Sequence, residues 1–485
     1  MSRRLGTMTG SLSFLARCPP CACLAFLAPL LPASALAHAS DRGHVLLLPT
    51  GHYLVGGALA VAASFIVLLF IRPEWLERLA MLRLNVGRLG GAFRVPASLL
   101  SFAALCALAT AGHIGSRDPL SNPLPLTVWT LLWVGLTLVQ GMFGNLWRWI
   151  DPWYGPWRVV LALLGRSPAD PPPLALPRRL GMWPAVMLLG GFAWFELIYP
   201  APDDPGRLAA AVGIYWFLTF AATLAFGHDA WSRRGEFLSV FFGMVSRLGI
   251  VEWSPDDRRV RLCLPGAKLS AVPALPASGV FFLLVALASV SFDGLSKTFF
   301  YFSFNGLNPL EYPGRTALME INAIGFMASC AILSAAFVLS IFIGEKLARG
   351  WHGFWKAAGT LVWSLVPIAV AYHFSHYLTA LLVNGQYALV ALSDPFALGW
   401  DLFGASHMAV SAGIAAGSDA AWTIWNAQAA AIVGGHIMGV LAAHLLAFRL
   451  HDSVQAAALS QFPLIVLMIA YTVFGLWLLS TPTTG

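Results

Sequence analysis

The chain has 485 residues, of which 58% are hydrophobic and 11% are charged, and its formal net charge at pH 7 is +7. Soluble domains carry roughly 25% charged residues, so this composition excludes an ordinary soluble protein and indicates a polytopic membrane protein. The 19 tryptophans and 32 phenylalanines fit that class, because aromatic side chains collect at membrane interfaces.

Residues 1–37 have the pattern of a secretory signal peptide. Three arginines accompany the apolar stretch "CLAFLAPLLPASA", and "ALA" at 35–37 is a small-residue cleavage site. Cleavage there would make His38 the first residue of the mature chain, where its imidazole and the new α-amine form a bidentate metal chelate. An uncleaved first membrane helix is the alternative interpretation.

After the leader, ten apolar stretches reach the roughly 20 residues that a helix needs to cross a bilayer. The sequence therefore predicts an all-α transmembrane helix bundle of about ten spans, forming one integral membrane domain over residues 38–485. The stretches lie near 53–71, 96–113, 125–146, 182–199, 209–228, 274–291, 320–343, 358–382, 420–447 and 459–480.

The distribution of cations predicts the orientation of this bundle. Of the 29 Lys and Arg, three lie in the leader, 21 fall on one side of the spans and five on the other, namely Arg42, Arg117, Arg207, Lys297 and Arg315. The positive-inside rule then places both mature termini on the outer side of the membrane. The excess cations form a rim facing anionic lipid, and no nucleic-acid partner is expected.

Three inner segments have recognisable patterns. The stretch "GEFLSVFFGMVSRLG" at 235–249 is amphipathic and is predicted to lie on the inner membrane surface. It is followed by "SPDDRRVRLCLPG", which is typical of a polar hairpin. The tryptophan-rich "GNLWRWIDPWYGPWR" at 144–158 indicates an interfacial aromatic belt with a turn at Asp151-Pro152.

The stretch "VAYHFSHYL" at 370–378 places two histidines within a predicted span. His373 and His376 are three residues apart, so they share one helix face and both can reach a single metal ion. His436 lies near mid-bilayer in another span, between Gly435 and Gly439. That small-residue spacing lets a neighbouring helix approach closely.

Further ionisable residues are predicted at a similar depth near the outer side, among them His113, Glu196, Asp293 and Glu320. Such groups are costly within a bilayer and usually mark function. Converging imidazoles and carboxylates suit a divalent metal ion. We therefore expect a metal site with Asp293 and Glu320 as catalytic carboxylates and, as ligands, His373, His376, His436, His113 and His38. Alternatively, the histidines only hydrogen-bond between helices and the two carboxylates only cap them.

Several segments together resemble a known family. They are "AHASDRGH", "GNLWRWIDPWYGPW", "WFELIYP", "RRGEFLSVFFGMVSRL", "SFDGLSKT", "AYHFSHYLTALLVNGQYALVALSDPFALGWDLFG" and "GGHIMGVLAAH", spread over most of the mature chain. The chain resembles the polytopic bacterial proteins called fenitrothion hydrolase, which are membrane organophosphorus hydrolases. The resemblance implies hydrolysis of small apolar aryl phosphotriesters and a second, similar membrane subunit as partner.

Metal-assisted hydrolysis is compatible with the predicted site. A divalent ion would lower the pKa of a bound water and polarise the phosphoryl group. Two other functions stay open from the sequence. Intramembrane histidines and outer acids also suit an inner-membrane protein that binds or transports copper or zinc. A scaffold subunit with purely structural histidines is the third possibility.

Overall fold

The computed structural model of the protein describes residues 50–254, 257–311, 313–349, 353–415 and 417–483. The predicted signal peptide, its cleavage site and His38 lie outside these described residues.

Ten apolar helices form the bundle within these described ranges. In the described part of the chain, nine are long and apolar enough to cross a membrane, and Trp183–Leu197 is apolar but has only 15 residues. The helical architecture confirms the all-α prediction, and each helix overlaps one predicted stretch. We number them α1 Thr50–Leu68, α2 Gly91–Ile114, α3 Pro123–Phe143, α4 Trp183–Leu197, α5 Pro205–Phe226, α6 Ala277–Ser296, α7 Arg315–Leu347, α8 Phe354–Ser393, α9 Asp419–Phe448 and α10 Val454–Ser480.

Shorter elements connect these helices. The helices among them are Pro73–Met81, Trp147–Ile150, Tyr154–Leu163, His228–Arg234, Phe237–Val245 and Phe299–Phe304. A small antiparallel sheet joins β1 (Arg83–Arg88), β2 (Val251–Trp253) and β3 (Arg259–Cys263) in the order β1-β3-β2. Strand β3 lies within the segment 254–266 for which a hairpin was predicted, but its partner β2 precedes that segment, and the pairing of β1 with β3 had no local sequence signal.

Helices α6 and α8 form the centre of the bundle. In their most apolar stretches 78% and 83% of residues are buried, compared with 22% in α1 and α2. The peripheral helices therefore present apolar side chains to lipid, while α6 and α8 are enclosed by protein. Asp293 lies on α6, and His373 and His376 lie on α8.

Glycines set the distance between α8 and α9. A Cβ added to Gly435 would lie 2.4 Å from the Cβ of Ala371, and one added to Gly439 would lie 2.9 Å from the carbonyl oxygen of Ser364. The structure thus confirms the close helix approach predicted at these two positions. His436 is consequently fully buried, with its ring centroid 6.0 Å from that of Tyr372.

The segment predicted to lie on the inner membrane surface is instead part of the core. In the helix Phe237–Val245, Phe237 is 2% exposed and Phe242 is 0% exposed. Seven of its nine residues are buried, so the apolar side chains surround the helix and leave no polar face for water. Glu236 caps its first turn by accepting hydrogen bonds from the backbone N–H groups of Leu238 and Ser239.

The tryptophan-rich segment is packed inside the protein. Its turn at Asp151-Pro152 is confirmed, but the four tryptophans of 144–158 are only 4–8% exposed instead of forming an interfacial belt. Asp151 accepts a hydrogen bond from the backbone N–H of Tyr154 at 2.9 Å. Its carboxylate also lies 3.4 Å from Nη2 of Arg94 and 3.4 Å from Nε2 of His228. One buried carboxylate therefore joins this segment to α2 and to the helix His228–Arg234.

We expect the contacts of His228 with Asp151 and Asp229 to make the thermal stability of the protein depend on pH. Burial by itself lowers the pKa of His228, but hydrogen bonds with Asp151 and Asp229 offset it, so the pKa is raised above its usual value. A raised pKa contributes stability that is fully present below the unfolded pKa, about 6.5, and is lost as pH rises through the folded pKa. Thermal unfolding of the wild type should therefore occur at lower temperature at pH 8.5 than at pH 6.

The matched variants are His228→Gln, which should lose this dependence, and His113→Gln, which removes an exposed histidine and should keep it. At the acid end, the hydrogen bond with His228 lowers the pKa of Asp229 to about 2. The stability from Asp229 is therefore present above its unfolded pKa and lost only as pH falls toward 2. Equal pH profiles for wild type and His228→Gln would contradict the assignment.

Candidate functional site

Five polar side chains from three helices meet beside the C-terminal ends of α4 and α6. We call them the Asp293 cluster: Glu196, Asp293, Lys297, His376 and Tyr377. Asp293 is 6% exposed, and its carboxylate contacts Lys297, His376 and Tyr377, whereas Glu196 contacts Tyr377. Positive-inside orientation predicts that this end of the bundle faces the periplasm.

The strongest contact in the cluster is an imidazole–carboxylate hydrogen bond. Nε2 of His376 lies 2.7 Å from Oδ2 of Asp293. An ionised carboxylate only accepts, so Nε2 carries the proton and donates it to Asp293. In neutral His376 the lone pair is then on Nδ1, which makes no hydrogen bond to any residue in the described ranges. The side chain is 22% exposed, so water can reach this edge of the ring.

Two further donors stabilise the buried Asp293 carboxylate. Nζ of Lys297 lies 3.2 Å from Oδ1, and the hydroxyl of Tyr377 lies 3.1 Å from Oδ2. Charge-assisted hydrogen bonds of this kind offset the cost of burying an ionised group. The same Tyr377 hydroxyl lies 3.0 Å from Oε1 of Glu196. The Tyr377 hydroxyl has one proton and can donate to only one of the two carboxyl groups. Both contacts are satisfied when Glu196 is protonated and donates to the Tyr377 oxygen, while Tyr377 donates to Asp293.

His373 lies beside the cluster but bonds elsewhere. It is 4% exposed, and its Nε2 donates to the carbonyl oxygen of Trp133 at 2.9 Å. Trp133 belongs to Leu126–Leu136 of α3, which is π-helical. Wider π-helical turns reposition backbone carbonyls and occur frequently at functional sites. The hydroxyl of Thr137, one turn further along α3, donates to the same oxygen. The bond from His373 joins α8 to α3 at this point.

The two histidines of α8 both contact the ring of Tyr377. Ring centroids are 4.8 Å apart for His373 and Tyr377, and 4.6 Å apart for His376 and Tyr377. Both side chains lie inside the bundle, with His373 buried and the His376 side chain 22% exposed. Their Nε2 atoms nevertheless bond to two different acceptors, a carbonyl and a carboxylate, so this arrangement does not direct both toward one ion.

Three further predicted site residues, all within the described ranges, do not join the cluster. His436 donates from Nδ1 to the carbonyl oxygen of Ile432 at 2.8 Å, one turn back in its own helix. His113 is exposed at the end of α2, and Glu320 is exposed on α7. Within the described ranges, no group of three or more His, Cys, Asp or Glu side chains is arranged to hold a metal ion. The divalent ion therefore stays a prediction.

His436 nevertheless has one feature of a metal ligand. Because Nδ1 carries the donated proton, Nε2 presents a lone pair, and this atom is buried without a hydrogen-bond partner in the part of the chain that the structure describes. An unsatisfied polar group inside a membrane protein is costly. A water molecule or a metal ion at Nε2 would remove that cost.

Compared with known proteins, the chain matches no family model, no curated protein and no solved structure.

Sequence reasoning missed two members of the cluster and left a third outside the predicted catalytic set. Lys297 follows Asp293 by four residues, a spacing that brings opposite charges together on a helix. Tyr377 directly follows His376. Glu196, in "WFELIYP", was noted only for its depth. The i,i+4 pair was the available signal; the approach of Glu196 depends on how α4 packs against α6.

Proposed function

We propose that the protein hydrolyses neutral aryl phosphotriesters, of the fenitrothion-like phosphorothioate class, at the Asp293 cluster. One observation carries the proposal: the hydrogen bond from Nε2 of His376 to Asp293, which leaves Nδ1 as an open base. A histidine held in one tautomer by a carboxylate is the arrangement that activates a nucleophile by general-base catalysis.

In the proposed reaction, a water molecule at Nδ1 of His376 attacks phosphorus and its proton passes to Nδ1. Asp293 stabilises the imidazolium that forms. The bond from phosphorus to the aryl oxygen breaks, and the aryl group leaves as a phenolate. The products are a dialkyl phosphate or thiophosphate and the phenol after the imidazolium returns the proton. Lys297, whose side chain is 42% exposed, is placed to attract the negative charge that develops on the phosphoryl oxygen or sulfur.

The surroundings of the Asp293 cluster suit an apolar substrate. The helix Phe299–Phe304 begins two residues after Lys297, and its Phe300 and Phe304 side chains are 58% and 79% exposed. Exposed aromatic rings beside a polar centre would hold the aryl group of a neutral triester that partitions into lipid. In the predicted orientation, substrate would arrive from the periplasmic leaflet of a bacterial inner membrane.

Two parts of the proposal rest on the resemblance and the sequence. A bound divalent metal would polarise the phosphoryl group, but the described donors do not converge on one ion, so no step depends on it here. The second, similar subunit would be needed only if the purified chain alone is inactive. Assays with and without a chelator test the first point.

The direct test is hydrolysis of a p-nitrophenyl dialkyl phosphotriester by the purified protein in lipid nanodiscs. We expect saturable release of nitrophenolate. Lys297→Met should lower kcat/KM by about tenfold, less than the loss of a fully enclosed oxyanion donor, because solvent screens a half-exposed charge. Lys356→Met removes an exposed lysine from the opposite end of the bundle and serves as the control. Equal rates for the two variants would remove Lys297 from the mechanism.

A second candidate function is binding or transport of copper or zinc, favoured by the open, buried Nε2 of His436. Metal uptake into vesicles that is lost in His436→Leu, in the absence of phosphotriester hydrolysis, would support it. Purified protein that is metal-free and active in hydrolysis would contradict this alternative.

A further inference from the structure

An apolar groove lies on the lipid-facing surface of the bundle, between α4 and α5. It has a volume of about 340 Å³ and is lined in part by Met187, Leu218, Ala222 and Trp231. Met187 is 74% exposed and Leu218 is 61% exposed. A groove of this size is within the roughly 300–1,000 Å³ of typical ligand sites. It lies at the N-terminal end of α4 and the C-terminal end of α5, the end predicted to face the cytoplasm.

Four arginines lie in the two chain segments that adjoin the groove-lining residues in sequence. Arg178 and Arg179 are exposed and form a 3₁₀ turn just before α4, and Arg233 and Arg234 end the helix His228–Arg234, which carries Trp231. Nη2 of Arg234 donates to the carbonyl oxygen of Leu176 at 3.2 Å. This bond joins the segment that precedes α4 to the helix that carries Trp231, so the two arginine-bearing segments lie next to each other.

One of these charges is partly balanced. Arg233 lies 3.9 Å from the Asp229 carboxylate, an exposed pair four residues apart. Exposed ion pairs of this kind contribute little to stability, and they leave most of the positive electrostatic potential of the arginines unchanged. The indole N–H of Trp231, one of the groove-lining residues, is buried and makes no hydrogen bond within the described residues.

We propose that this groove is a binding site for an anionic phospholipid of the inner leaflet. One acyl chain would lie along Met187, Leu218 and Ala222, and the phosphate would lie against Arg178, Arg179 and Arg234. Basic pockets between membrane helices on the cytoplasmic side recognise anionic headgroups in this way. The site is separate from the Asp293 cluster and does not depend on hydrolysis.

The test is lipid binding to the full chain in detergent, measured by native mass spectrometry with phosphatidylglycerol and, in parallel, phosphatidylcholine. We expect Arg178→Gln/Arg179→Gln to weaken phosphatidylglycerol binding roughly tenfold or more, because each arginine near the membrane surface contributes appreciably. Ala222→Phe fills the groove and should also weaken binding. Arg72→Gln/Arg78→Gln removes the same charge from exposed positions elsewhere on the predicted inner rim and should change binding less than twofold.

The outcomes distinguish a specific lipid-binding site from a general attraction of anionic lipid to positive charge. If both double variants lose phosphatidylglycerol equally, the arginines attract lipid only as a general rim and the proposal fails. It also fails if Ala222→Phe, with unchanged thermal unfolding, binds as the wild type does, or if phosphatidylcholine binds as tightly as phosphatidylglycerol. Because Arg178 and Arg179 are exposed, their substitution leaves the fold intact and keeps the test decisive.

Discussion

Replacing His376 with alanine is expected to lower kcat for phosphotriester hydrolysis by a factor of about 10² to 10⁴, the usual contribution of a positioned general base. The loss should appear mainly in kcat, because the imidazole acts on the attacking water and contributes little to holding the substrate. Single-turnover kinetics with a chromogenic substrate would separate the chemical step from substrate binding.

Asp293→Asn should be nearly as damaging, for a reason specific to this geometry. An asparagine side chain offers an N–H₂ donor as well as an oxygen, so it can stabilise the tautomer in which Nε2 of His376 accepts. Nδ1 would then carry the proton and could no longer act as a base. His113→Ala is the matched control, since it removes an exposed histidine at the predicted periplasmic end of α2. Equal activity in His376→Ala and His113→Ala would contradict the proposed mechanism.

Gly344→Ala is expected to destabilise the bundle by about 3 kcal/mol, at the upper end of the cost of overpacking. A Cβ at Gly344 on α7 would lie 1.9 Å from the carbonyl oxygen of Ser460 on α10. The obstructing atom is backbone within a helix, so relief requires α7 and α10 to separate. Thermal unfolding of the purified protein in a fixed detergent measures the effect.

A glycine in open space provides the control for this substitution. Gly213 in α5 has no atom within 4 Å of an added Cβ. Gly213→Ala should therefore be neutral or stabilising by roughly 0.5–1 kcal/mol, because alanine loses less conformational entropy in a helix. Gly359→Ala, whose Cβ would lie 2.0 Å from the carbonyl oxygen of Leu275, should behave as Gly344→Ala does. Identical unfolding of the Gly344 and Gly213 variants would show that α7 and α10 are farther apart.

The fold was largely predictable because its main signals are local. Ten apolar stretches gave the ten helices, since length and hydropathy are read from neighbouring residues. Gly435 and Gly439 predicted the close contact of α9 with α8 for the same reason. The burial of Phe237–Val245 was missed, because an apolar helix at a membrane surface and one within the core have similar sequences.

The site was predictable only in part. Asp293 and His376 were expected at one depth, and they meet at 2.7 Å. The partner of His373 could not be foreseen, because the Trp133 carbonyl is presented by a π-helical segment of another helix. Glu320 has suitable chemistry and depth, but it lies on the exposed side of α7. Depth follows from sequence position, whereas the direction of a side chain depends on how the helices pack.

The central claim is that His376, held by Asp293, activates water for attack on phosphorus. Hydrolysis of a chromogenic phosphotriester in ¹⁸O-labelled water, with mass analysis of both products, tests it most directly. We expect the wild-type protein to place the label in the phosphate product and His376→Ala to form almost none of that product. Unlabelled phosphate, label in the phenol, or undiminished turnover by His376→Ala would contradict the claim.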